Sequence, residues 1–160
     1  LEINIFFSKI FVKKIKNDMK PLYTNSQLEI IETFSFFDDW HQKYEYLISL
    51  GKKIKFPIEE KKDFNLIKGC ESQVWMISYH KNEKLFFNGI SDSVIVSGLI
   101  AILLKIYSGQ RAKDILNMSL DFIKKIDLAT HLSPNRKNGL FEMINSIKKT
   151  AYKNYILYYQ

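Results

Sequence analysis

The stretch Gln73-Val74-Trp75-Met76-Ile77-Ser78-Tyr79-His80-Lys81-Asn82-Glu83-Lys84-Leu85-Phe86-Phe87-Asn88-Gly89-Ile90 decides the fold class. Apolar and aromatic residues crowd both of its halves, and the polar His80-Lys81-Asn82-Glu83 separates them. That pattern predicts a strand from Gln73 to Tyr79, a turn, and a second strand from about Lys84 to Ile90, paired as an antiparallel hairpin. A third strand around Phe64 to Lys68 is also expected, on a shorter pattern.

On both sides of the hairpin the period changes to that of helices. Downstream, Val94, Ile95, Val96, Leu99, Ile100, Ile102, Leu103, Leu104 and Ile106 leave almost no polar face. A helix from Ser93 to about Tyr107, capped by Asp92 or Ser91, should therefore run through the centre of the core. Gly98 in its middle costs roughly 1 kcal/mol against Ala, so close packing on a neighbour is expected there. Ser108-Gly109 ends it, and Ala112 to Leu116 and Leu120 to Ile126 predict two short helices. A turn segment, His131-Leu132-Ser133-Pro134-Asn135-Arg136, leads into a last helix from about Arg136 to Lys153.

Upstream, Ser26 and Glu29 have capping-box spacing for a helix through Leu28, Ile31 and Phe34. Asp38 or Asp39 caps the next, with Trp40, Tyr44, Leu47 and Ile48 at helical spacing and Gly51 at its expected end. Lys52 to Lys68 reads as a long connection. Helices, a hairpin, then helices define an α+β fold, a small antiparallel sheet packed against helices on one side.

With 160 residues the chain has room for one domain with a real core, taken as residues 19–160. Residues 1–18 form a basic, amphipathic arm. Arg is absent there and Ser nearly so, against a transit peptide, and Met19 is a natural start. The arm is expected to be a non-native or upstream-read extension, with a targeting or surface helix as the alternative.

A net charge of +7 raises nucleic acid or an acidic membrane as partners. However, Lys9, Lys13, Lys14, Lys16 and Lys20 against Glu2 and Asp18 leave three of those charges at the N-terminal end, and the other lysines are interrupted by acids. Neither a nucleic-acid nor a membrane partner is expected.

One cysteine cannot close an intrachain disulfide. Cys70 lies in Lys68-Gly69-Cys70-Glu71-Ser72, a polar step just before a strand, whereas structural cysteines usually sit within apolar runs. Gly69 permits a tight turn, which places the thiol on a loop at the sheet edge. The thiolate is the reactive form, and Lys68, His131 and Arg136 are the cations that would favour it if the fold brings them near. His41, His80 and His131 are too scattered to make a metal site with Cys70, and no metal is expected. A cysteine hydrolase would pair Cys70 with His131 as base, but no oxyanion-hole motif accompanies them.

The segment Gly69-Cys70-Glu71-Ser72-Gln73-Val74-Trp75 resembles the cysteine motif of the SufE/CsdE family of sulfur acceptors. The resemblance continues through Ser91-Asp92-Ser93, Ile95-Val96, Gly98-Leu99-Ile100-Ala101, His131-Leu132-Ser133-Pro134, Arg136, Gly139-Leu140 and Met143. Trp40, Lys43-Tyr44 and Leu50-Gly51 match the family's first helices. Departures are modest: Glu71 stands where Gln is frequent, Ser93 where Ala is common, and Ser97 where Lys is common.

The resemblance implies a SufE/iron–sulfur scaffold-like fold and a carrier that takes persulfide sulfur from a cysteine desulfurase onto Cys70. Such a carrier stimulates that enzyme and delivers sulfur to an iron–sulfur assembly scaffold. The implied partners are a SufS/CsdA-type desulfurase, which holds the pyridoxal phosphate, and a SufBCD-type scaffold. The chain itself is expected to bind no cofactor. Arg136 is implied as an organiser of the Cys70 loop or a partner contact, against a bland role as a surface ion-pair residue. His131 is expected to be a structural hydrogen-bonding residue, and Asp92 a helix cap with a secondary part in partner contact. The alternative is a non-catalytic regulator that binds a desulfurase. A reducing compartment, the cytoplasm, is expected, with organelle import through the arm as the alternative.

Overall fold

The computed structural model describes residues 23–159, and the arm over residues 1–18 lies outside them. Two antiparallel strands, β1 (Val74–Lys81) and β2 (Lys84–Ser91), form the sheet. Their register pairs Val74 with Ser91 and Lys81 with Lys84, so His80 and Lys81 belong to the ladder. The turn is Asn82-Glu83 alone, with φ of 50° and 61°. Two left-handed residues in a two-residue loop match the right-handed twist of the strands. The expected third strand is not formed: Leu66 makes one isolated bridge to Trp75, and the 3-10 turn at Asp63–Asn65 bends the chain away before a ladder can extend.

Val74, Met76, Leu85 and Phe87 point to the buried side of the hairpin. Tyr79 and Phe86 stack at 5.1 Å on the other side. The helices are α1 (Asn25–Ser35), α2 (Trp40–Lys52), α3 (Val94–Tyr107), α4 (Ala112–Asn117), α5 (Asp121–Lys125) and α6 (Pro134–Tyr159), and α3 packs on the buried side of the hairpin with the others gathered around it. The α+β class read from the sequence is the observed one. Among the described residues no helix is long and apolar enough to cross a membrane.

The helix ends correct several expectations. Thr24, not Ser26, caps α1: its hydroxyl accepts from the Gln27 N–H at 3.2 Å, and Gln27 Oε1 accepts from the Thr24 N–H at 2.9 Å. Gln27 wins because its Nε2 also donates to the Ser119 carbonyl at 2.9 Å, which ties α1 to the segment before α5. Asp39 caps α2 through the Gln42 N–H at 2.9 Å. Ser93, rather than Asp92 or Ser91, caps α3. The last helix begins at Pro134, where a missing N–H leaves nothing unpaired.

Gly51 does not end α2. It lies one residue inside the helix, opposite Gly98 of α3. A methyl group on Gly98 would stand 2.3 Å from the Leu47 carbonyl oxygen, and one on Gly51 would stand 2.7 Å from the Gly98 nitrogen. Absent side chains at these two points bring the two backbones into contact. The central helix is thereby pressed between α2 on one side and the hairpin on the other.

Candidate functional site

The loop over residues 68–73 is tied at its base. The Ile67 N–H donates to the Val74 carbonyl at 2.8 Å, and the Gln73 carbonyl accepts from the Ser91 hydroxyl at 2.8 Å and the Asp92 N–H at 3.2 Å. Ser97 on α3 holds Ser91 in turn, accepting from its N–H and donating to its carbonyl, both at 3.1 Å. Strand pairing, the Ser91 corner and α3 therefore fix both ends of the loop. At its tip Gly69 takes φ 86°, a conformation that favours glycine.

Cys70 is half-buried and faces α6. Its Sγ lies 3.8 Å from the Gly139 carbonyl oxygen, a weak contact for an S–H donor. A methyl on Gly139 would stand 3.6 Å from that sulfur, ordinary van der Waals contact, so the thiol packs directly over this turn of α6. Around it a small open pocket is lined by Glu71 and Ser72 of the loop, Val96 of α3, and Asn135 and Arg136 of α6. Burial first, and the Glu142 carboxylate second, push the Cys70 thiol up from its ordinary pKa. The expected cation effect is absent. Arg136 does line the pocket, but its charge does not outweigh desolvation and the nearby carboxylate.

The other expected residues separate. His131 is not part of the pocket lining. Its ring stacks on Trp40 with centroids 3.9 Å apart, and its Nδ1 lies 3.1 Å from the Asp127 carbonyl and 3.3 Å from the Asp127 carboxylate. The Tyr44 hydroxyl donates to the His131 carbonyl. This is a structural bracket between α2 and the turn before α6, so His131 is not placed to act as a base on Cys70. Asp92 is exposed at the loop's exit, where its Oδ1 accepts from the Ser91 hydroxyl at 3.4 Å. His41 pairs with Glu45 at 3.4 Å, and His80 stacks on Tyr158 at 4.6 Å. Among the described residues no three His, Cys, Asp or Glu side chains gather as metal ligands.

Sequence reasoning missed Glu142, and it named Gly139 and Asn135 without giving either a part in the site. All three follow the Pro134 that opens α6, and Asn135, Gly139 and Glu142 recur at spacings of four and three on a helix face. That spacing was a usable signal once the loop was known to pack on this helix.

The fold and site together define an α+β domain that presents its single cysteine on a glycine-led loop, half-sheltered by a long C-terminal helix. The SufE family, an Fe–S metabolism associated domain, matches residues 28–151, and the chain belongs to it. It is 43% identical over 129 residues to an uncharacterised SufE-like protein of Rhizobium meliloti, covering 77% of this chain and 92% of that one. It is 36% identical over 128 residues to the cysteine desulfuration protein SufE of Wigglesworthia glossinidia brevipalpis, covering 78% of this chain and 89% of that one. The solution structure of a hypothetical protein from Thermus thermophilus superposes with a TM-score of 0.70 at 13% identity, over 82% of this chain and 97% of that one, a likeness of fold alone. Family membership places the chain in iron–sulfur metabolism.

Proposed function

We propose that this protein is a sulfur carrier that receives persulfide sulfur on Cys70 from a SufS/CsdA-type cysteine desulfurase. It then passes that sulfur to a SufBCD-type scaffold for iron–sulfur assembly. In the first step the Cys70 thiolate attacks the terminal sulfur of the partner's cysteine persulfide. The partner's S–S bond breaks, its cysteine leaves as a thiolate, and Cys70 holds the new persulfide. A scaffold thiolate repeats the exchange on Cys70, so neither step needs an external oxidant, and one cysteine serves both.

The observation that carries this reading is the seat of Cys70. The thiol lies on a loop pinned at its base, half-buried against a bare glycine, with no imidazole beside it. A hydrolase needs a base within hydrogen-bond reach of its nucleophile, whereas an exchange thiol needs only access and a partner.

Incubation of the full chain with a pyridoxal-phosphate desulfurase and cysteine should add about 32 Da, one sulfur atom, to Cys70 in a mass spectrum. Cys70→Ser should still bind the desulfurase but no longer stimulate its turnover. Failure of wild type to gain sulfur while Cys70 is alkylated freely would defeat the carrier reading. Stimulation by Cys70→Ser equal to wild type would make the protein a regulator instead.

A further inference from the structure

Glu142 stands one helical turn beyond Gly139 on α6, and its side chain lies across the loop that carries the acceptor sulfur. A methyl group on Gly69 would meet Glu142 Cγ at 3.2 Å, Cδ at 3.5 Å and Oε2 at 3.8 Å. The carboxylate arm therefore rests on the glycine backbone immediately before Cys70, where the φ of 86° already resists any side chain. One turn earlier on the same helix, the Gly139 carbonyl lies 3.8 Å from the Cys70 sulfur. Two residues one turn apart on the same helix thus contact the Gly69–Cys70 step, one at each residue.

We propose that Glu142 is the positioning residue of the acceptor loop: it seats the Gly69–Cys70 step on α6 and sets a negative charge close to the sulfur, so that the acceptor is restrained in the unbound protein. This rests on Cys70 being the acceptor, and it adds a control on when that acceptor reacts. Of the charged groups near the sulfur, Glu71 on its own loop and Arg136 on α6 line the pocket, Glu142 on α6 acts on the thiol electrostatically, and the α3 residue in the lining is the apolar Val96. Glu142 is the charge that raises the thiol's pKa, in the same direction as burial. The carboxylate is itself exposed, so a docking protein can reach it.

The test compares iodoacetamide alkylation of Cys70 across about pH 6 to 10 in the full-length wild type, Glu142→Gln and Glu142→Asp. Glutamine keeps the arm over Gly69 and removes the charge, so its profile should move to lower pH and its rate near neutrality should rise about threefold or more. Aspartate keeps the charge, and its profile should stay closer to wild type than that of glutamine. Coincident profiles for Glu142→Gln and wild type would overturn the proposal. A rate that rises equally at every pH, the mark of a merely loosened loop, would overturn it too, as would an aspartate variant shifted as far as glutamine. Sulfur acceptance from a desulfurase is measured on the same proteins. Wild type that gains no sulfur refutes the acceptor role, whereas sulfur gain with coincident alkylation profiles refutes Glu142 alone.

Discussion

Burial and the Glu142 carboxylate both favour the protonated form of Cys70, so the thiolate fraction at neutral pH lies below that of a free thiol and climbs as pH rises. Reactivity in the unbound protein is therefore expected to lag behind that of free cysteine until alkaline pH. His131 has no part in this balance, because its ring is committed to Trp40 and its Nδ1 to Asp127. His131→Ala should leave the Cys70 alkylation rate within about twofold of wild type while lowering stability by about 1 kcal/mol through the lost stack. Alkylation rates and a urea melt on one preparation check both halves. A large fall in Cys70 reactivity with unchanged stability would restore His131 as a base. The loop setting of Cys70 was legible in the sequence because its neighbours are polar and a glycine precedes it. Glu142 was not, since nothing in the linear order shows which helix face the loop will rest on.

At the scale of elements, what the sequence shows depends on whether a contact is local. The hairpin was visible because both strands and their turn lie within 18 residues, and the register follows from the two-residue turn at Asn82-Glu83. The third strand was overread because a short apolar run around Leu66 and Ile67 resembles a strand, although it makes a single bridge. Gly98 was correctly expected to mark close packing, while its partner Gly51 was taken for a helix end; only tertiary structure shows that the two glycines face each other. Gly98→Ala tests this contact. Alanine gains about 1 kcal/mol of helix propensity but drives a methyl into the Leu47 carbonyl, and neither backbone can yield locally. The net expectation is a loss of about 2 kcal/mol, read as a lower urea midpoint with an unchanged slope. A neutral or stabilising alanine would mean that α2 and α3 separate at little cost.

At the scale of the whole molecule, the site depends on α3 staying fixed, because Ser97 anchors the loop's exit and Val96 lines the pocket. The other end of α3 carries a cost. Tyr107 is fully buried, and among the described residues its hydroxyl has no hydrogen-bond partner. Burial alone pushes its pKa up to about 12. A folded pKa above the unfolded value of about 10 means that the folded state holds its proton longer. Stability is then fully present below pH 10 and falls as pH rises through 12. Tyr107→Phe removes both the orphaned hydroxyl and this titration. Near neutral pH the variant should be more stable by about 1 kcal/mol, the desolvation cost of an unpaired hydroxyl. By about pH 11 its advantage should widen by roughly 1 kcal/mol more, because only wild type must then keep a phenol protonated against solvent. Urea midpoints of the two proteins at neutral and alkaline pH measure the gap, and the other tyrosines and lysines titrate alike in both. A gap that does not grow with pH would show that the Tyr107 hydroxyl reaches a partner or water. The α3 end opposite the cysteine would then be less dry than the packing around it indicates.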